Sequence, residues 1–418
     1  MNLKKQFEIW LNRNNHDGNQ KSNKIISYLR AIDLLQEPFK TKGLINKSIY
    51  EIENPHIINK LYNEAKANQK IEDSYLVMES AKSYGEKGFY SASLGSYKKF
   101  LIETTSKNTI YFGSPGTGKS YKANQYLKDL VGKFYERVTF HPDYDYHSFV
   151  GGYKPTMDGD KIAYKFIPQI FTKIYIKAWN DLDNQYCLTI EEINRGNCAE
   201  IFGDLFQLLD RKADGSSKYE VSAEEELRKY LEGKDGFGTL NHEGIKDGKL
   251  RFPSNLKIIA TMNTSDQSLF PMDSAFKRRW DWEYVPIDTD CKFSDFTIQL
   301  NNGKAFKWLS FLKVVNAEIY EITKSQDKQI GNWFIDAQNS GNVISESTFV
   351  NKVIFYLWND VFKDEENTIF KSADGNKFTY SSFFEKDTLG NLVSYILEER
   401  LKLTEINNAE TITTGEKG

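Results

Sequence analysis

The sequence predicts an α/β fold built on a parallel sheet, with a small helical domain ahead of it and a helical unit behind it. Three observations lead there. From residue 109 onward, short apolar runs alternate with amphipathic stretches, the texture of strands joined by crossover helices. Residues 1–103 show helical periodicity and no strand alternation of useful length. From about Cys291 the helical pattern returns.

The elements follow in order. Leu3 to Leu11 and Ile25 to Leu35 place apolar residues at three- and four-residue steps, and Leu94, Tyr97 and Leu101 form one stripe within Tyr90–Leu101. Asn54 is a candidate helix cap, with Pro55 at the first helical position. Thr104 to Asn108 is polar and reads as a hinge. Strands are expected at Thr109–Phe112, Glu136–Phe140, Tyr186–Ile190, Leu256–Thr261 and Trp282–Ile287. Lys212 to Lys249 is rich in Gly, Asp, Glu and Lys and reads as a surface insertion with a short helix near Ala223–Leu231. Ala305–Ile322 and Phe349–Phe362 are helical candidates, and Asn407–Gly418 reads as a frayed tail. The resulting domains are 1–104, 105–290 with an insertion at about 212–250, 291–406, and the tail 407–418.

Composition narrows the class. The 418 residues are 39% hydrophobic and 14% aromatic, which supplies large cores and excludes a mostly disordered chain. No stretch approaches the roughly 20 apolar residues of a membrane span. Glu8 and Arg13 stand where an apolar signal core would sit, so we expect a cytoplasmic protein with no membrane attachment. Cys187, Cys198 and Cys291 have neither CxxC nor metal-ligand spacing, which argues against structural zinc and disulfides. Residues 1–108 carry 17 Lys and Arg against 12 Asp and Glu, whereas residues 109–418 carry 38 against 46. A basic front on an acidic body hints at nucleic acid; chance fluctuation in a Lys-rich chain gives the same count.

The sharpest local pattern is Gly113-Ser114-Pro115-Gly116-Thr117-Gly118-Lys119-Ser120. Two glycines five apart followed by Lys and Ser form a phosphate-binding loop, here between an expected strand and an expected helix. Glycines let backbone N–H groups approach phosphate oxygens, Lys119 brings a point charge to the outer phosphates, and the Ser120 hydroxyl suits magnesium. The start of the following helix turns its positive end to the same phosphates. A second strand, Cys187-Leu188-Thr189-Ile190, ends in Glu191-Glu192. One acid would help hold magnesium, through water, and the next, Glu192, would polarise an attacking water. The buried run Leu256–Thr261 leads to Asn263, placed to hydrogen-bond that water or the γ-phosphate. Lys277-Arg278-Arg279 falls between a short helix and a final strand, where ring-forming NTPases present a cation to the neighbouring subunit's nucleotide. Arg279 is preferred to Arg278 for that role.

Together these motifs resemble an AAA+ P-loop NTPase core with a C-terminal helical lid, and more narrowly the McrB-type motor subunits of modification-dependent restriction systems. The stretch Thr139 to Pro155, the run Glu191-Glu192-Ile193-Asn194-Arg195-Gly196-Asn197 and the Met262-Asn263-Thr264-Ser265-Asp266 signature carry the resemblance, with the Arg278-Arg279 pair where the family's trans-acting arginines fall. Two departures stand out: Glu191 replaces the usual Asp, and Gln267 stands where the signature often continues with Arg. The resemblance implies hydrolysis of GTP or ATP with Mg2+, a catalytic part for Asp266, and a hexameric ring. It also implies double-stranded DNA, often with a modified base, as ligand and a separate McrC-type nuclease as partner. Glu64-Ala65-Lys66 has the Glu-x-Lys spacing of one nuclease class but sits in an expected helix, so no nuclease site is assigned to this chain. In the N-terminal domain, Arg30, Lys98 and Lys99 are candidate DNA contacts or the solvated ends of core helices. Two other uses of such a core stay open: a MoxR or dynein-related ATPase that remodels proteins, and a nucleotide-gated binding module without turnover.

Overall fold

The computed structural model describes residues 3–13, 23–52, 55–104, 108–128, 134–158, 161–182, 184–212, 214–240, 242–265, 270–363, 365–367, 369–385 and 391–406. Asn54, Asp266, Gln267, most of the expected hinge at Thr104–Asn108 and the expected tail at Asn407–Gly418 lie outside the described residues. The chain forms two compact units. The first comprises Met1–Ile110, Ala123–Thr261 and Leu269–Trp282, and the second Tyr111–Lys122, Met262–Ser268 and Glu283–Gly418. No helix among the described residues is long and apolar enough to cross a membrane.

The first unit opens with helices α1 (Leu3–Arg13), α2 (Asn23–Thr41), α3 (Pro55–Asn68), α4 (Lys82–Glu86) and α5 (Phe89–Thr104). Their apolar stripes meet in one core that contains Phe7, Ile32, Leu35, Tyr90, Leu94, Tyr97 and Leu101. Phe7 meets Tyr97 edge to face at 5.0 Å and Phe100 at 5.4 Å. Tyr90 and Tyr97 are therefore core residues. Lys98 donates to Asn59 Oδ1 at 3.0 Å and lies over the Tyr62 ring, while Arg30 lies over Tyr84.

The chain then runs through β1 (Asn108–Gly113), α6 (Lys119–Leu127), β2 (Tyr135–Thr139), α7 (Tyr146–Phe149), β3 (Gly151–Asp158), β4 (Lys161–Pro168), α8 (Ile170–Asn180), β5 (Tyr186–Glu191), α9 (Cys198–Phe202), β6 (Val221–Ser222), α10 (Glu225–Glu232), β7 (Lys249–Leu250), β8 (Leu256–Asn263), α11 (Ser274–Lys277) and β9 (Asp281–Tyr284). Five strands form the main sheet in the order β2-β5-β8-β1-β9. β5 pairs in parallel with β2, setting Glu191 opposite Thr139, and with β8, setting Ile190 opposite Ala260. Every residue of β5 and the first six of β8 are buried. A strand covered on both faces reads as a continuous apolar run, which is why both were visible in the sequence.

One feature was not visible. β3 and β4 form an antiparallel hairpin in register Tyr153↔Phe166, Pro155↔Tyr164 and Met157↔Ile162. Met157, Ile162 and Tyr164 are exposed on it, so no buried face marked it in the sequence. The 212–249 insertion, by contrast, is anchored by Leu227 and Leu231 of α10, both buried.

In the second unit, β10 (Thr297–Gln299), β11 (Ala305–Lys307) and β12 (Val343–Ser345) make a three-stranded sheet around β10. The helical reading of this region omitted it, because strands of three residues give too few positions for alternation to register. Helix α12 (Trp308–Thr323) buries Trp308, Phe311, Leu312, Val315 and Ile319. These join Ile298, Phe306, Phe349, Val353 and Leu357 in a second core. Phe349–Ile354 and Leu357–Val361 are π-helical.

Candidate functional site

In the second unit, β1 ends on Gly113, and the loop that follows carries positive φ at Gly113 (+150°), Gly116 (+77°) and Gly118 (+89°). Side chains rarely adopt these angles, so the spacing in the sequence is a backbone requirement. Lys119 opens α6 and is only 6% exposed. Its ammonium donates to Gly113 O at 3.0 Å and Ser114 O at 2.8 Å, and Thr117 Oγ1 donates to Ser114 O at 3.1 Å. The loop is thus wrapped around its own lysine, with the positive end of a nine-residue helix beside it. This cradle of glycine backbone, ammonium and helix end suits a polyphosphate. Ser120 is exposed and offers the hydroxyl oxygen that a hard cation such as magnesium accepts. Asn263 closes β8 in the same unit and is half-buried.

In the first unit, Glu191 is the last residue of β5 and is 6% exposed. Arg137 of β2 reaches its Oε1 at 2.7 Å, and the Thr261 hydroxyl of β8 donates to its Oε2 at 2.5 Å. The same hydroxyl oxygen accepts the Glu192 N–H at 3.2 Å. Glu192 has φ 53° and ψ 48°, a left-handed conformation that costs a β-methylene residue about 1 kcal/mol or more. Thr261 is one of the contacts that hold the strand end in that turn. Arg137 also donates to Asn124 Oδ1 at 2.8 Å, tying β2 to α6. With one oxygen on a guanidinium and the other on a hydroxyl, the Glu191 carboxylate suits magnesium through water better than by direct ligation.

Asp273 caps α11 by accepting the Phe276 N–H at 2.6 Å, and the two arginines follow. Their environments differ. The Arg279 side chain is 6% exposed: Nε donates to Asp210 Oδ2 at 2.8 Å, Nη1 donates to Ala275 O at 2.5 Å, and the guanidinium lies 4.5 Å from the centre of the Phe206 ring. Within this chain the Arg279 guanidinium is engaged by Asp210 and Ala275, whereas Arg278 is turned to the exposed side.

A family model described as "AAA domain (dynein-related subfamily)" matches residues 108–280. The chain is 34% identical over 340 residues to the "Type II restriction enzyme BsuMI component YdiS" of Bacillus subtilis, covering 73% of this chain and 93% of that protein. The chain belongs to the McrB-like AAA+ proteins of restriction systems. It is also 30% identical over 237 residues to the "Type IV methyl-directed restriction enzyme EcoKMcrB subunit" of Escherichia coli, across 54% of this chain but only 44% of that protein. Membership makes this chain an AAA+ protein of the α/β P-loop fold.

Several residues that hold the end of β5 or the phosphate loop carry no sequence signal. Arg137 and Thr261 lie 54 and 70 residues from Glu191. Within the second unit, Gly331 and Trp333 donate their backbone N–H groups to Pro115 O and Gly116 O, each at 2.8 Å. Nothing in the pattern Lys328-Gln329-Ile330-Gly331-Asn332-Trp333 announces contact with a loop more than 200 residues earlier.

Proposed function

We propose that this chain is the motor subunit of a DNA restriction system. It assembles into a ring, hydrolyses GTP or ATP with magnesium, moves along double-stranded DNA and leaves cleavage to a separate McrC-type nuclease. The observation that carries this reading is the match over 93% of a restriction-enzyme component, joined to a phosphate loop with Lys119 buried against its carbonyls.

The residues divide the work. Backbone N–H groups of Gly113–Ser120 bind the phosphates, and Lys119 exchanges its loop carbonyls for phosphate oxygens. The Ser120 hydroxyl, and through water the Glu191 carboxylate, would hold magnesium, which would supply positive charge against the phosphates. Glu192 accepts a proton from water as its oxygen attacks the γ-phosphorus and the bond to the bridging oxygen breaks. Asn263 orients that water, and Asp266 joins the site through the family signature. Arg278 is the arginine we assign to a neighbouring copy's nucleotide, an effect of about 10³–10⁵ in rate where such fingers act. Assigning cleavage to a partner is supported by Glu64, whose carboxylate accepts from the Tyr75 hydroxyl and the Asn68 amide on helical ground.

The test is hydrolysis of GTP and of ATP by the purified chain, each with and without duplex DNA and an McrC-type nuclease. Turnover raised by the nuclease and by DNA is the expected result. ATP turnover indifferent to both would point to protein remodelling, and no turnover under any condition would leave a nucleotide-gated binding module.

A further inference from the structure

The second unit lays a strap across its own phosphate loop. Gly331 N–H donates to Pro115 O and Trp333 N–H to Gly116 O, each at 2.8 Å, and the Ser114 hydroxyl donates to Gln326 O at 2.8 Å. The approach is as close as backbone permits. A Cβ on Gly331 would lie 2.2 Å from the Gly116 carbonyl carbon and 2.3 Å from Thr117 N. A Cβ on Gly116 would lie 2.4 Å from Phe334 N.

These bonds fix more than position. A trans peptide is planar, so its C=O and the next N–H point in opposite directions. Holding Pro115 O and Gly116 O against the strap therefore aims the N–H groups of Gly116 and Thr117 away from it. Lys119 and Thr117 occupy the carbonyls of Gly113 and Ser114. Between them, strap, Thr117 and Lys119 take all four carbonyls of Gly113–Gly116, an arrangement that aims the Gly116 and Thr117 N–H groups toward an anion.

The strap is itself held rigidly from behind. Asn316, buried on α12, pairs with the Ile330 backbone in both directions: Nδ2 to Ile330 O and Ile330 N to Oδ1, each at 2.8 Å. Asn332 O accepts from Trp308 Nε1 at 3.0 Å, and its buried side chain donates to Ser294 Oγ at 3.2 Å. Tyr356 donates to Lys328 O at 3.1 Å. Two buried asparagines on strap and helix serve no packing purpose that an apolar residue would not serve better.

We infer that Gln326–Phe334 is a positioning strap that presets the phosphate loop for nucleotide, and that Asn316 acts on nucleotide affinity through it. The inference rests on the reading that Gly113–Ser120 binds nucleotide phosphates. The Asn316 side chain bonds to the Ile330 backbone, and Gly331 meets the loop through its own backbone. The strap sets affinity, whereas Glu192 sets the chemical step, so the two separate in kinetics.

The test is titration of the full chain with fluorescent GTP and ATP analogues, alongside steady-state hydrolysis, for the wild type and the Gly331→Ala, Asn316→Ala and Lys119→Ala variants. Gly331→Ala should weaken binding at least about 10-fold, and Asn316→Ala about 3–10-fold. At saturating nucleotide both should keep kcat within about 3-fold of wild type, a split between KM and kcat that partial unfolding does not give. Trp333 provides a second readout, since its indole Cδ1 lies 3.6 Å from where a Gly118 Cβ would stand. Nucleotide should change the tryptophan emission of the wild type and not of Trp333→Phe. Wild-type affinity in Gly331→Ala, with Lys119→Ala unable to bind, overturns the strap and leaves the nucleotide site standing. No binding by the wild type overturns both.

Discussion

The Thr261 hydroxyl lies 2.5 Å from Glu191 Oε2 and takes the Glu192 N–H on its other side at 3.2 Å. One oxygen thus couples the two acids at the end of β5. Thr261→Val keeps the shape and deletes the coupling, leaving a buried carboxylate oxygen and an N–H short of a partner, at about 1–3 kcal/mol. Turnover should fall about 10–100-fold while nucleotide affinity stays within about 2-fold, and Thr261→Ser should recover most of the loss. Wild-type turnover in the valine variant would dismiss the coupling.

Arg137 gives a second handle on the same acid. Its guanidinium is 40% exposed while the Glu191 side chain is 8% exposed, so the pair is worth less than a fully buried one, about 1–2 kcal/mol. Arg137→Ala should lower Tm by a few degrees. Adding Glu191→Gln should recover part of that loss, because the charge left without its guanidinium is then gone. Strict additivity in the double-mutant cycle would show that the two side chains do not interact in solution.

Much of this was legible in the sequence, and the reason is locality. The phosphate loop is eight consecutive residues whose types answer to one backbone shape. β5 and the first six residues of β8 are continuous buried runs. What escaped depends on distance along the chain: Arg137 with Glu191, Asp210 with Arg279, and Gly331 with Pro115 are each joined only by folding. The β3–β4 hairpin escaped for another reason. Tyr153, Pro155 and Met157 do alternate with polar residues, but Gly, Pro and Lys broke the pattern and no buried face reinforced it.

Lys119 and Glu192 should separate binding from chemistry. Lys119→Ala removes the ammonium that the loop wraps, and nucleotide binding should fall below detection in a filter or fluorescence assay. Glu192→Gln keeps the size and removes the proton acceptor, so binding should persist while turnover drops about 10²–10⁴-fold. Tight binding by Lys119→Ala would remove the phosphate loop from the site.

The cysteines report on the cores. Burial pushes the Cys187 thiol up to about 12, and burial likewise pushes Cys198 up to about 12, with its Sγ 3.1 Å from Ile193 O. The thiolate is the nucleophile, so at pH 8 both hold about one part in ten thousand of it. Cys291 is half-buried. Alkylation of the native protein at pH 8, followed by mass spectrometry, should modify one thiol quickly and the other two only in denaturant. Rapid labelling of Cys187 would mean that β5 opens in solution.

The neighbouring arginines should part company. Arg279→Ala removes the partner of Asp210 and the cation over Phe206 from a nearly closed environment, a loss of about 2–4 kcal/mol. Its signature is a lower Tm, with hydrolysis falling only as the folded fraction falls. Arg278→Ala lies on the exposed side and should leave Tm within about 1–2 °C. If Arg278 serves a neighbour's nucleotide, the Arg278→Ala protein should bind nucleotide normally and lose about 10³-fold or more in turnover. Mixing then decides the matter. The Arg278→Ala protein keeps an intact phosphate loop and lacks the finger, whereas Lys119→Ala keeps the finger and lacks the loop. A mixed assembly pairs one protein's loop with the other's arginine, so activity should reappear and peak at intermediate ratios. Arg279→Ala mixed in the same way should add nothing beyond its own folded fraction. Recovery with Arg279→Ala and none with Arg278→Ala would return the trans role to the buried arginine and require its bond to Asp210 to open on assembly.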